Sequence, residues 1–187
     1  MNRETAIDLL RRTPFTQGRV RQVAMPPAAR TLSTLSHVDY EDAFLVETGP
    51  AQDRTGEQWA RAVLDDAPVI MRSALRSGWF ALGLELGSTR SDRFVLGWEV
   101  GRSSPDFALL AARSRLGLPA ELLFKRQEHT LLFATFVQQE NHIARAVWAG
   151  VAPVHRQVVR CVLEQASCSD PWRSAIRRRA APVPPSR

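Results

Sequence analysis

Between residues 93 and 139 the apolar residues alternate, and the links between the alternating runs are too short for a parallel crossover. "RFVLGWEV" (93–100) puts Phe94, Leu96, Trp98 and Val100 on one side of an extended chain. "RSSPD" is a turn and "FALLAARS" (107–114) the returning strand. "RLGLP" turns again into "AELLFKRQ" (120–127), and the two residues "EH" lead into "TLLFATFVQQ" (130–139). Parallel strands need a connection of a dozen or more residues, whereas hairpins need two to five, so these runs form an antiparallel sheet. Closing the "EH" hairpin sets Arg126 opposite Leu131, Phe124 opposite Phe133 and Leu122 opposite Thr135. Leu122, Phe124, Leu131, Phe133 and Val137 then share one face, the expected core side.

Upstream, "VDYEDAFLVE" (38–47) reads as a further strand and residues 19–24 as a short edge strand. That makes five strands, or six with the edge. "GPAQD" (49–53) reads as a turn. Thr55 and Gln58 have the spacing of a capping box and open a helix through "EQWARAVLDD". A second helix follows, with Asp66 as its expected cap, Pro68 in its first turn, and Ile70, Met71, Ala74 and Leu75 as its expected buried face.

Residues 142–167 form a long final helix. Ile143, Val147, Val151, Val154, Val158 and Val162 recur at steps of four, four, three, four and four, a stripe expected to lie on the sheet. Pro153 lacks an amide hydrogen and crowds the carbonyl of Ala149, so it bends the helix near Gly150. The bend is expected to follow a twisted sheet, with the shaping of a pocket as the alternative. The fold class that follows is α+β, an antiparallel sheet wrapped around a long C-terminal helix, with two short helices after the first main strand.

Charge narrows the partners. The chain of 187 residues carries a net charge of +6, but the excess sits at its ends. Residues 1–30 hold six arginines against Glu4 and Asp8, and residues 160–187 hold six against Glu164 and Asp170, +4 in each case. The stretch 31–159 has thirteen basic and fifteen acidic residues, so nucleic-acid binding is not expected of it. Met1 to Arg12 is charged where a secretory leader would be apolar, and the apolar run at 131–137 is far too short to span a bilayer. With only Cys161 and Cys168, seven residues apart on one helix, a reduced cytoplasmic protein without membrane insertion is expected. Residues 1–23 are expected to be a partly ordered extension and the Pro-rich, basic 169–187 a disordered tail.

"PPAAR" (26–30), "DYEDAF" (39–44), "WARAVL" (59–64), "LGWEV" (96–100), "AELLF" (120–124), "FATFV" (133–137) and "ARAVWAGVAPVHR" (144–156) resemble a bacterial family of unknown function described as START-like, of the helix-grip, polyketide-cyclase type. A similar domain is appended to NAD(P)-binding epimerase-like proteins. The resemblance covers residues 24–167, and its strongest motif is Trp148, Pro153 and His155. It implies a START-like domain over 24–168 with a pocket between sheet and last helix. START-like domains commonly have six or seven strands, more than the main five counted above. The fold hosts carriers, cyclases and lipid binders alike, so it implies no reaction.

A small hydrophobic or aromatic ligand is therefore expected, lined by Trp98, Leu122, Phe124, Phe133, Val147, Trp148, Val151 and His155. Phe107 and Phe136 are further aromatics expected to converge there. The alternatives are a cyclase- or aromatase-like enzyme and an interaction module acting through the basic termini. No catalytic residue is assigned, and His155 is the one candidate. As a general base it needs a carboxylate on its other nitrogen, for which Glu99, Glu121 and Asp39 are the acids considered. Asp39, Glu41 and Asp42 read as a solvated edge, with Asp42 on the side of Tyr40, Phe44 and Val46. His37, His129 and His142 lack metal-binding spacing, and the chain has no glycine-rich dinucleotide motif, P-loop, G-x-S-x-G or H-E-x-x-H, so neither metal nor cofactor is expected.

Overall fold

The structure, a computed structural model, describes residues 19–48 and 54–168. The expectations for 1–18, for the turn at 49–53 and for the tail from 169 lie outside the described residues. In chain order the elements are β1 (Val20–Val23), α1 (Pro27–Arg30), β2 (Tyr40–Glu47), α2 (Gly56–Leu64), α3 (Val69–Ala81), β3 (Phe94–Val95), β4 (Trp98–Ser103), β5 (Phe107–Ala112), β6 (Ala120–Arg126), β7 (Thr130–Val137) and α4 (His142–Cys168). Seven strands form one antiparallel sheet in the order β1-β2-β7-β6-β5-β4-β3. The protein is thus α+β, with a long C-terminal helix packed on an antiparallel sheet.

The hairpin of β6 and β7 has the register its two-residue link dictates: Arg126 faces Leu131, Phe124 faces Phe133 and Leu122 faces Thr135. β2 then pairs along β7 over its full length, which places Asp42 opposite Thr135. Since side chains alternate across a strand, Tyr40, Asp42, Phe44 and Val46 share the face of Thr135 and Phe133. That face carries the main core, where Phe44, Leu122, Phe124, Leu131 and Phe133 meet Trp59 and Val63 of α2 and Trp148 and Leu163 of α4. Thr55 and Gln58 close their capping box at the start of α2. Gly56, the first residue of α2, touches the backbone of β5: a Cβ there would stand 2.3 Å from the carbonyl carbon of Phe107.

The opposite face is covered as well. Ala29, Leu32, Leu35 and Val38, from the segment between β1 and β2, pack on Ala43, Leu123, Leu132 and Phe136. Buried Glu121 fastens that segment, accepting hydrogen bonds from Ser33 Oγ at 2.6 Å, from the Thr34 amide at 3.1 Å and from the Thr34 hydroxyl. Phe107 and Phe136 pack with this second cluster, away from α4, so they do not join the other aromatics.

Three expectations change. Residues 93–100 are two strands, because Leu96 (φ 48°) and Gly97 (φ 99°) form a two-residue turn between Val95 and Trp98. Left-handed backbone is strained at a leucine, and burial of Leu96 together with its amide's hydrogen bond to Asp65 Oδ1 (2.8 Å) hold it there. In α3 the cap position is Pro68 with no side-chain cap, and no residue of the helix is buried. Met71, Leu75 and Trp79 lean on the core, while Ala74 is exposed and Ile70 is 85% exposed.

The third change concerns α4. Its sheet-facing row is Ala144, Trp148, Ala152, His155, Val159 and Leu163, the expected spacing displaced by one residue. Ile143, Val154 and Val158 are exposed, Val147 and Val151 flank the buried row, and of the expected stripe Val162 is buried in the core. Trp148 and Leu163 offer more area to bury than valine, and the alanines let the helix approach the sheet closely. Pro153, Ala149 and Gly150 lie on the exposed side, so the carbonyl that Pro153 leaves unpaired is on the water side of the helix and away from the core.

Candidate functional site

The centre of α4 crosses β2 and β7 where two polar side chains interrupt the apolar face. Asp42 and Thr135 are neighbours across the β2–β7 ladder, and His155 descends on both. Its Nε2 lies 3.2 Å from Thr135 Oγ1 and 3.4 Å from Asp42 Oδ2. Tyr40, two residues before Asp42 on the same face, donates its hydroxyl hydrogen to the same Asp42 Oδ2 at 2.7 Å. The Asp42 side chain is 2% exposed and that of His155 16%. Trp148, two helical turns before His155, completes the group. Its ring centroid is 5.0 Å from that of Tyr40 in an edge-on contact and 5.3 Å from that of His155.

The hydrogen bond at Nε2 is the one to the Thr135 hydroxyl, and Asp42 Oδ2 stands beside it as an ionic neighbour at 3.4 Å. Both contacts leave Nδ1 as the ring nitrogen turned away from the strand pair. Asp42 Oδ1 and Trp148 Nε1 are buried without a hydrogen-bond partner. Burial raises the pKa of Tyr40 above its ordinary value of 10.0. The hydrogen bond to Asp42 and its negative charge push in the same direction, against the opposing influence of Arg156.

Tyr40 is the only tyrosine in the chain, so an alkaline absorbance titration reads it alone. The phenolate band of the native protein is expected above pH 10.0, returning to the ordinary position in denaturant. Because the folded-state pKa is the higher one, Tyr40's contribution to stability is whole below about pH 10 and is lost as pH rises through the folded value. A native tyrosine titrating at its ordinary pH would contradict the Tyr40–Asp42 contact.

Beside this cluster lies a cavity of about 50 Å³, bounded by Leu75 and Trp79 of α3, Leu122 of β6, Phe133 of β7, and His155 and Val159 of α4. Apart from the imidazole its walls are apolar. Of the residues expected at a ligand site, Leu122, Phe133 and His155 meet here, and Trp148 stands behind His155 on the polar side. Phe124 packs edge-on against Phe133, 5.1 Å between ring centroids, inside the core. Trp98 is buried against Trp79 at 5.4 Å, and Val147 and Val151 are half-buried flanking residues; none of these lines the cavity.

The acids considered for His155 are engaged elsewhere: Glu121 on the far face, Glu99 with Arg93 and Asp39 with His37. The partner is Asp42, which is buried rather than part of a solvated edge. Its signal was an acid sharing a strand face with Tyr40, Phe44 and Val46. Among the described residues no group of three or more His, Cys, Asp or Glu is placed to hold a metal ion. No helix of the described residues is long and apolar enough to cross a membrane. No protein-family model, curated protein or solved structure matches the chain.

Proposed function

We propose that the protein is a START-like small-molecule-binding protein of the cytoplasm that takes a small hydrophobic or aromatic compound between the sheet, α3 and α4. The observation that carries this reading is His155, an imidazole backed by a buried carboxylate and turned into an otherwise apolar cavity. A few well-placed polar groups in an apolar wall are what orient a bound small molecule. With Nε2 committed to Asp42 and Thr135, Nδ1 is the atom left to address the ligand. The present cavity is smaller than the engineered one of about 150 Å³ that admits benzene, so occupancy requires α3 to move. α3 is suited to that, having no buried residue to extract.

A second reading, an enzyme of the cyclase or aromatase type, is favoured by the pairing itself. An acid that orients a histidine and stabilises its protonated form is the arrangement of a general base. Native mass spectrometry of freshly purified protein tests the first reading. A retained small molecule is expected, and a protein that carries none and takes up no small aromatic would count against it. Carriage and catalysis then separate with His155→Gln: binding with lost turnover of the recovered compound assigns proton transfer to His155.

A further inference from the structure

α3 carries two arginines whose charges are unanswered among the described residues. Arg72 and Arg76 stand one turn apart on one side of the helix, and Arg72 Nε and Arg76 Nη1 are both buried without a hydrogen-bond partner. Four other arginines of the body pair with acids: Arg30 with Glu41, Arg61 with Glu57 and Asp65, Arg93 with Glu99, Arg115 with Glu85. Arg76 Nη1 is held against the β3–β4 turn, 3.3 Å from where a Cβ on Gly97 would stand, so the glycine makes its room. A guanidinium has only donors, and with no acid beside it the Arg76 head is suited to an anion supplied from outside.

Arg76 also lines a groove of about 800 Å³ between the end of α3, residues 83–86 and the turn at 115–116. Phe80, Leu84 and Leu116 give it an apolar wall, and Phe80 and Leu116 are exposed. Its other two charges, Glu85 and Arg115, pair with each other at 3.0 Å, so the uncompensated charge is that of Arg76. One net positive charge on an apolar wall, with a carboxylate nearby to repel a second negative group, selects a single anionic head on an apolar body. α3 turns different rows to its two neighbours, Leu75 and Trp79 to the His155 cavity, Arg76 and Phe80 to the groove.

The geometry points to a second ligand site in this groove, for a soluble organic monoanion of the medium-chain carboxylate class, whose head accepts hydrogen bonds from Arg76 while its chain lies along Phe80, Leu84 and Leu116. Two parallel N–H···O bonds from a guanidinium to a carboxylate suit such a head. This site is separate from the His155 cavity and does not depend on the function proposed for it.

Sodium octanoate, 1-octanol and sodium acetate, titrated calorimetrically into the full chain, test the site. Octanoate is expected to bind at least about tenfold more tightly than the other two, and Arg76→Met to weaken octanoate by about tenfold. In the wild-type protein the octanoate methyl should give nuclear Overhauser contacts to Phe80 and Leu116, a readout that stands even if the variant misfolds. Equal binding of octanol or of acetate would overturn the proposal, as would unchanged octanoate affinity in a folded Arg76→Met protein. Contacts to Leu122 and Phe133 would place octanoate in the His155 cavity and overturn the groove site while supporting the other. Self-association that excludes octanoate would give the groove to a second copy of the chain.

Discussion

Trp148→Ala is expected to lower the unfolding free energy by about 3–5 kcal/mol, the range for truncating a buried tryptophan. Trp148 sits in the buried row of α4, in edge contact with Tyr40 and 5.3 Å from the His155 ring. Its removal takes away apolar area, opens a void between helix and sheet, and leaves two polar neighbours without the ring that excludes water from them. Trp148→Phe should cost much less, since the indole Nε1 makes no hydrogen bond that would be lost. The check is chemical denaturation, read as a shifted midpoint at unchanged slope. A loss below about 1 kcal/mol for the alanine variant would place Trp148 at the rim of α4, where the valine stripe would have put it, rather than under it.

Asp42→Ala is expected to cost about as much, on the order of 3–5 kcal/mol, for a different reason. The carboxylate accepts the Tyr40 hydroxyl and stands 3.4 Å from His155 Nε2, so its removal strands a buried donor and takes away the imidazole's ionic neighbour. Asp42→Asn keeps an acceptor for Tyr40 and should cost less, about 1–3 kcal/mol. Replacing both members of a buried pair by apolar side chains is often neutral or stabilising by about 1–4 kcal/mol. Asp42→Leu with His155→Leu is therefore expected to unfold at a denaturant concentration close to the wild-type value, or above it, while losing the ligand. Strongly unequal single and double variants would show that the cluster is retained for what it does in the cavity. If the double variant fell as far as Asp42→Ala, the pair would be holding the fold together instead.

The parts of this protein that were legible in its sequence are those whose signals are local. A two-residue link forces a hairpin, so the β6–β7 register followed from counting. Thr55 and Gln58 satisfy each other's backbone amides, so the start of α2 needed no tertiary information. α4 shows where local signals stop. Its period was visible, but two adjacent rows have the same spacing, and the choice between them is made by what the sheet offers. The row with a tryptophan and a histidine wins because β2 and β7 present Asp42 and Thr135 beneath it. Asp42 was hard to assign for the same reason. An acid on an apolar strand face is either an exposed edge or a buried partner, and the decision depends on Arg21, Leu45 and their neighbours pairing β1 outside β2. That pairing makes β2 an interior strand. The hairpin at Leu96–Gly97 was hidden because a leucine is an unfavourable residue for a left-handed turn, and its support comes from Asp65, thirty-one positions upstream. Finally, of the row expected to face inward on α3, Met71 and Leu75 lean on the core with Trp79 while Ile70 and Ala74 are exposed, because the helix covers the cavity without burying any of its own residues.

With no buried residue in α3 and the Asp42–His155 pair at its edge, the space beneath α3 is proposed to open and receive a small aromatic compound against His155. Nuclear magnetic resonance of protein labelled at histidine nitrogens and leucine methyls, titrated with indole, tests it most directly. Saturable shifts of the His155 ring nitrogens together with the methyls of Leu75 and Leu122 are expected in the wild-type protein, and the two methyls are expected to stay fixed in Asp42→Leu with His155→Leu. If the wild-type signals stay fixed up to the solubility of indole, or if only Leu84 and Leu116 in the outer groove respond, the space beneath α3 is no aromatic-binding site.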